Sequence, residues 1–403
     1  MDKALIIFLI TYVVIAIGQP PLFRIDRTGA ALIGAALMIV TGVIDIDDAY
    51  RAIDYRTIVL LFSLMIVVAN LRLSGLFPLA SAFVMRRIAS PSMLLYAVVF
   101  LSGSISALLI NDTVCLAFTP LILAITVRLG LNPVPYLLAL CMASNIGSVA
   151  TITGNPQNIM IGSFSGISYS RFAAKLLPVA ATGLVICCVM IRVAYRDSFR
   201  AGQIVAVPMR YRVHRPLLIK STIVSVAMLI LFLAGVSMTT VAIGGASYLL
   251  VTRRINPDKV YRSIDWRLLL LFAGLFIVVA GIERSGLAIS ALNSIGSGIA
   301  GHPAFLVSVS ALLSNMVSNV PAVLLLKPVM AAMPDRETAW LLLAMSSTLA
   351  GNLTILGSIA NIIVVEGARP QVKIGFGEYL KVGVPLTLAT IFAGTLWLTL
   401  VPY

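Results

Sequence analysis

Apolar runs of bilayer-crossing length, roughly 20 residues with about 17 as a lower bound, alternate along this chain with short polar or Pro/Gly punctuation. The pattern predicts uninterrupted helices near 4–18, 28–44, 57–78, 173–193, 216–235, 236–252, 266–284 and 378–400. Four further apolar regions are interrupted. Segments 93–128 and 303–333 break at Asn111-Asp112-Thr113 and Ser318-Asn319-Val320-Pro321, and their lengths predict re-entrant hairpins. Segments 135–170 and 338–366 break at Thr153-Gly154-Asn155-Pro156 and around Gly357-Ser358, and are expected to cross once as broken helices. Non-helical backbone persists at membrane depth only where protein or a water-filled cavity satisfies it, so these breaks are where function is to be sought. The first run, behind Lys3, ends in Gln19-Pro20-Pro21 without a small-residue cleavage pattern. It reads as a retained span and not as a signal peptide.

The two halves of the chain match each other. DYRTIVLLFSLMIVVANLRLSGL at 54–76 pairs with DWRLLLLFAGLFIVVAGIERSGL at 265–287, Asp54 and Arg56 falling on Asp265 and Arg267. At the hairpins, Asn111 and Asn319 each lie nine residues before a proline, Pro120 and Pro328. In the broken helices, Ser144, Thr151, Gly154 and Asn158 pair with Ser347, Thr354, Gly357 and Asn361. Polar landmarks recurring in order at three places identify a duplication. The boundaries are a first repeat over 1–200, a cytoplasmic linker over 201–215 and a second repeat over 216–403. Each repeat holds five crossings, one of them broken, plus one hairpin. An odd number inverts the second half relative to the first, which predicts an all-α polytopic membrane protein of two inverted-topology repeats.

Charge tests that inversion. With the basic 192–220 connection placed in the cytoplasm, Lys3, Arg51, Arg56, Arg171, Lys175, Arg284 and Arg336 fall outside. Lys327 falls within the membrane, and every other Lys and Arg falls on the cytoplasmic side, as the positive-inside rule requires. The expected location is the inner (plasma) membrane, with both termini on the non-cytoplasmic side and the hairpins entering from opposite faces. Composition agrees: of 403 residues, 60% are hydrophobic and 11% charged, against about a quarter charged in soluble domains. A soluble enzyme, a disordered chain and a disulfide scaffold are excluded. The net charge of +14 reports topology and not a nucleic-acid partner. Cys115, Cys141, Cys187 and Cys188 lie in apolar stretches without metal-ligand spacing. No metal site, cofactor or phosphate-binding loop is expected.

Inverted repeats with discontinuous helices meeting at the midplane are the architecture of secondary transporters. The candidate substrate or ion site is therefore composite. One half gives Asn111, Asp112, Thr113, Thr153, Gly154, Asn155, Gln157 and Asn158, and the other gives Ser318, Asn319, Thr354, Gly357, Ser358 and Asn361. Two ionisable residues lie at membrane depth. Asp112 has Val320 as its repeat partner, so the fold does not demand it, and a lone acid there points to proton or cation coupling. Its alternative is a cap for the returning hairpin arm. Lys327, aligned with Thr119, is a second coupling candidate that could neutralise Asp112, attract an anion or snorkel outward. Arg72, Glu283 and Arg284 end their helices near the surfaces and read as topological charges.

At the tips the chain resembles the ion transporter superfamily. LLINDTVCLAFTPLILAIT is similar to the first hairpin of arsenical pump membrane proteins and related anion permeases, which carry an Asn-Asp pair there, and ILGSIANIIV is similar to their second broken helix. The divalent-anion/sodium symporters have Ser-Asn-Thr at both tips, whereas the first tip here reads Ile110-Asn111-Asp112. The resemblance implies arsenite or antimonite efflux in exchange for protons, with a small inorganic oxyanion or metalloid hydroxide as the transported partner. A separate ATPase subunit and a second copy of the chain are further candidate partners. The competing expectation is sodium- or proton-coupled uptake of a dicarboxylate, sulfate or similar anion.

Overall fold

The computed structural model describes residues 3–18, 25–86, 88–200, 212–251, 255–286, 302–331, 333–369 and 371–401. In chain order its helices are α1 (Lys3–Ile17), α2 (Arg27–Val40), α3 (Ile46–Ala52), α4 (Tyr55–Ser74), α5 (Leu76–Met85), α6 (Pro91–Leu108), α7 (Asn111–Arg128), α8 (Val134–Ser148), α9 (Pro156–Ser165), α10 (Tyr169–Ala194), α11 (Arg215–Leu233), α12 (Met238–Leu250), α13 (Pro257–Tyr261), α14 (Trp266–Arg284), α15 (Pro303–Val317), α16 (Asn319–Ala331), α17 (Arg336–Ala350), α18 (Ile359–Ala368) and α19 (Phe376–Leu400). Among the described residues, α4, α6, α7, α10, α11, α14 and α19 are long and apolar enough to cross a membrane. Most of the 201–215 linker lies outside the described residues. Its last part is short, because α11 already begins at Arg215 and the His214 N–H donates to the Ser74 carbonyl at 2.9 Å.

Side-chain caps set many of the helix starts. Asp26, Ser90, Ser168, Asp265 and Asp335 each accept from the backbone N–H three residues on, satisfying one of the donors that a first helical turn leaves unpaired. All eight uninterrupted helices read from hydropathy are present, with shifted ends. Helix α4 runs Tyr55–Ser74 and not 57–78, because Gly75 turns left-handed at φ 87° and caps it. The short helices α3 and α13 were not foreseen. They occupy matching places in the two repeats, capped at Asp45 and Asn256.

The two repeats interleave. Helix α2 packs against α14 of the other half and α4 against α12, each pairing the second long helix of one repeat with the third of the other. Helices α10 and α19, which are repeat equivalents, pack on each other. These reciprocal contacts are what a pseudo-two-fold axis relating the halves produces. The outward face is apolar as well. Ile219, Ile223, Val226 and Ile230 form an exposed helical stripe on α11, which suits lipid and not water.

The depth of the hairpins follows from their neighbours. Helices α6 and α8 run parallel, from a Tyr136 hydroxyl donating to the Pro91 carbonyl (3.1 Å) to a Ser106–Ser144 hydroxyl pair (2.7 Å). Just beyond, the Thr151 hydroxyl donates to the Ala107 carbonyl. The first hairpin thus turns at the level where α8 unwinds, while α9 carries the broken helix on for ten residues, about 15 Å. In the second repeat, Ser310 pairs with Ser346 (2.8 Å), and the Asn315 amide donates to the Ala350 carbonyl (2.8 Å).

Candidate functional site

Both broken helices unwind by the same device. The Asn158 amide donates to the carbonyls of Ser148 (3.1 Å) and Thr151 (3.0 Å). In the other repeat, the Asn361 amide donates to those of Gly351 (2.6 Å) and Thr354 (3.1 Å). A side chain that draws out carbonyls seven and ten residues back takes them from the helical ladder. The breaks therefore open at Ser148 and Gly351, several residues before the Gly and Pro positions that mark them in the sequence. Short 3₁₀ turns at Ile152–Gly154 and Ile355–Gly357 bridge the gaps. A Cβ on Gly154 would strike the Ser148 carbonyl, so the turn needs glycine there. Gly357 lies likewise against Asn315 Oδ1, which also accepts from the Thr354 hydroxyl at 3.2 Å.

The polar side chains then join across the halves, with Asn145 as the hub. Its Nδ2 donates to Asn352 Oδ1 (2.9 Å) and Asn361 Oδ1 (3.0 Å), both in the second repeat. Its Oδ1 accepts from Asn111 Nδ2 (2.9 Å) and the Ser358 hydroxyl (3.0 Å). Thr348, which the repeat aligns with Asn145, answers from the other side, its hydroxyl oxygen accepting from Asn155 and Gln157 at 3.2 Å each. Asn155 also accepts from the Asn158 N–H and donates to the Ser148 hydroxyl. The Ser148 hydroxyl in turn donates to the Asn145 carbonyl, so the network is continuous.

This chain of bonds fixes which way each amide faces. Two carbonyls hold the Asn361 NH₂, so its oxygen accepts from Asn145, whose oxygen accepts from Asn111. The Asn111 oxygen is left over, and Asn111, Asn158 and Asn319 each bury an Oδ1 with no hydrogen-bond partner. Buried polar atoms are rarely left unpaired. Asn70 on α4 buries a fourth such oxygen, so these atoms are open acceptors for a donor and do not by themselves outline a site.

Other expected residues sit apart from the network. Thr153 is buried against the Tyr169 hydroxyl at 3.0 Å. The first hairpin breaks at Leu109-Ile110 and not at 111–113; Ile110 is the cap position, without a side-chain bond, and Asn111 begins α7. Asp112 is therefore no cap. It and Thr113 line a small pocket of about 50 Å³ with Arg72, Ser263 and Asp265. Arg72, read in sequence as a topological charge, faces the same space. Lys327 does not neutralise Asp112: its Nζ lies over the Phe164 ring, 4.8 Å from the centroid, a cation–π contact. Ser318 forms the second tip at φ 79°, ψ 159°, a region that is costly for a residue with a Cβ. Ser318→Gly is expected to raise the thermal midpoint of detergent-purified protein, since relief amounts to about 1 kcal/mol. Scanning fluorimetry showing an unchanged or lower midpoint would mean the hydroxyl contributes more than the strain costs.

The family model for citrate transporters matches residues 7–350. This chain belongs to that family. Among curated relatives of the citrate transporter family, a 46 kDa membrane protein of Mycobacterium leprae is 31% identical, covering 98% of each chain. The silicon efflux transporter LSI3 of Oryza sativa is 32% identical over 93% of this chain and 92% of its own. The putative transporter arsB of Dictyostelium discoideum is 26% identical over 92% and 86%. The resemblance read from the tips, to the ion transporter superfamily and its arsenical pump branch, thus holds. Among solved structures, the Alcanivorax borkumensis YdaH transporter superposes with a TM-score of 0.63 at 16% identity, covering 98% of this chain and 96% of that one; it supports the fold. The chain is a multi-span membrane transporter of the citrate transporter family. Within it, sequence reasoning missed Asn145, Thr348 and Asn352. One signal was available: Asn145 is an amide in α8, a helix whose every residue is buried.

Proposed function

We propose that this transporter exports an uncharged metalloid hydroxide, arsenite or antimonite, in exchange for protons by alternating access. The observation that carries the reading is that the amides of the tips and broken helices, Asn111, Asn158 and Asn319, each bury an oxygen without a hydrogen-bond partner. Trivalent arsenic near neutral pH is mainly the trihydroxide, whose O–H groups donate to such oxygens and whose own oxygens accept from amide N–H. Among the described residues, the side-chain bonds that knit the network come from amides and hydroxyls, with no Lys or Arg among the donors. The names of the rice and Dictyostelium relatives support this substrate class, since dissolved silicon is likewise an uncharged hydroxide. A neutral cargo leaves coupling to Asp112, with the Arg72 end of the molecule in the cytoplasm and both termini outside, as charge placement indicates.

The family's description, citrate transporter, supports a second reading, coupled uptake of a carboxylate or similar anion, with Lys327 as the positive group on the second hairpin's returning arm. Everted vesicles separate the two. Arsenite is expected to accumulate when an inside-acid gradient is imposed, without sodium, and Asp112→Asn is expected to abolish that accumulation. Accumulation retained in Asp112→Asn would remove Asp112 from the coupling role, and sodium-dependent citrate uptake in its place would favour the second reading.

A further inference from the structure

The acid at the first tip stands in the same pocket as a base. Asp112 is the second residue of the returning arm α7, Arg72 lies in the last turn of α4, and the space they line, about 50 Å³, is large enough to hold water. Arg72 is tethered on the pocket wall, its Nη2 donating to the Ser263 hydroxyl at 3.3 Å. The other charged group on the pocket, Asp265, is engaged as the cap of α14, accepting from the Leu268 N–H at 3.0 Å. Helices α5, α6 and α8, which also pack against α7, carry no charged residue. The thiols of Cys115 and Cys141 are buried on α7 and α8. Glu366 on α18 is exposed and paired with Arg369 at 3.0 Å. Arg72 is thus the cation available to Asp112 among the described residues of these elements.

The duplication supplies an independent observation. The repeat equivalents of Arg72 and Asp112 are Glu283 and Val320, so the second half has neither member of the pair. The inverted fold does not require them, and their joint occurrence in one repeat asks for another reason.

We propose that Arg72 is the positioning residue of proton release: it stabilises the carboxylate that Asp112 leaves when the first hairpin stands beside α4. The reasoning rests on the coupling role given to Asp112 above. When the hairpin moves away from α4, Asp112 loses its nearest positive charge, and an isolated carboxylate at membrane depth is costly enough to hold its proton. When it returns, the guanidinium stabilises the anion, and the O–H bond of Asp112 breaks heterolytically to give carboxylate and a proton carried off by water in the pocket. One fixed charge at one end of the path thereby ties proton release to one conformation, and the imposed gradient sets the direction. The Ser263 tether limits how closely Arg72 approaches.

Arsenite accumulation in everted vesicles, measured against external pH, tests this, because the external face is then the cytoplasmic one. Arg72→Gln is expected to move the midpoint of the pH profile upward by about one unit, the low end for losing a neighbouring opposite charge, while arsenite–arsenite exchange continues. Arg72→Lys is expected to restore the midpoint. Ser263→Ala, which frees the guanidinium, is expected to move it downward. A wild-type midpoint in Arg72→Gln, or Arg72→Lys displaced as far as Arg72→Gln, overturns the proposal. If Arg72→Gln fails to insert, Ser263→Ala decides, and an unchanged or raised midpoint there also overturns it. Proton-driven accumulation surviving in Asp112→Asn sinks the underlying coupling role instead, which the same vesicles report separately.

Discussion

Asn145→Ala is expected to reduce transport at least tenfold and to lower the thermal midpoint of the purified protein, the largest loss for any side chain of the tip network. The amide is at once the acceptor for Asn111 and Ser358 and the donor to Asn352 and Asn361. Truncation strands four partners, each buried, and an unsatisfied buried polar group costs about 1–3 kcal/mol. Asn145→Asp separates geometry from donor count. The carboxylate keeps the two acceptor contacts but faces Asn352 Oδ1 and Asn361 Oδ1 with oxygen, so it is expected to rescue little of the activity. Thr126→Val is the control, because the Thr126 hydroxyl bonds back to its own helix at Ile122 and its loss strands no partner in another element. Substrate exchange in reconstituted vesicles, with scanning fluorimetry on the same preparations, measures both quantities. Near-wild-type exchange in Asn145→Ala would mean that the tips work without the cross-repeat link.

Helix positions were legible because lipid imposes them: an apolar run of fixed length has few other places to be, and all eight uninterrupted helices fall within a few residues of their expected ranges. The duplication was legible for a similar reason. Asn158 and Asn361 make the same two backbone bonds in their own repeats, so the sequence must keep the same residue at both. The link between repeats was not legible. Asn145 and Thr348 are repeat equivalents of unlike type, and each bonds to residues some 200 positions away, a relation that no local pattern encodes. The helices α3 and α13 were too short to show periodicity.

Neighbouring residues also part company at the first tip. As residues of one tip, Asn111 and Asp112 are expected in a single composite site. Successive residues on a helix point about 100° apart, and once α7 begins at Asn111 they must diverge. Asn111 enters the amide network, whereas Asp112 looks into the Arg72 pocket. The division separates neutral hydrogen bonding from charge on two faces of one helical turn, as the proposed split between cargo recognition and proton binding requires.

The proposed coupling depends on a stiff seam between α6 and α8. Gly147→Ala is expected to abolish transport and impair folding, whereas Gly103→Ala, its neighbour across the seam, is expected to be tolerated. A Cβ on Gly147 would fall on the Gly103 backbone, carbonyl and Cα together, so the two helices must separate to accept a methyl group. Overpacking of this kind costs typically about 1–3 kcal/mol, and here it also displaces the Ser106–Ser144 and Asn111–Asn145 contacts one turn away. A Cβ on Gly103 meets instead the methyl groups of Leu184, at 2.6 and 2.8 Å, which are the end of a flexible side chain and can rotate aside. The Gly147 methyl drives backbone against backbone, whereas the Gly103 methyl turns toward α10 and approaches backbone only at the Ala143 carbonyl, 3.3 Å away. Fluorescence-detected size-exclusion profiles and vesicle exchange on the pair discriminate them. Equal tolerance of both would show that the helices approach less closely than drawn, and that small residues do not bring the hairpin to the depth of the break.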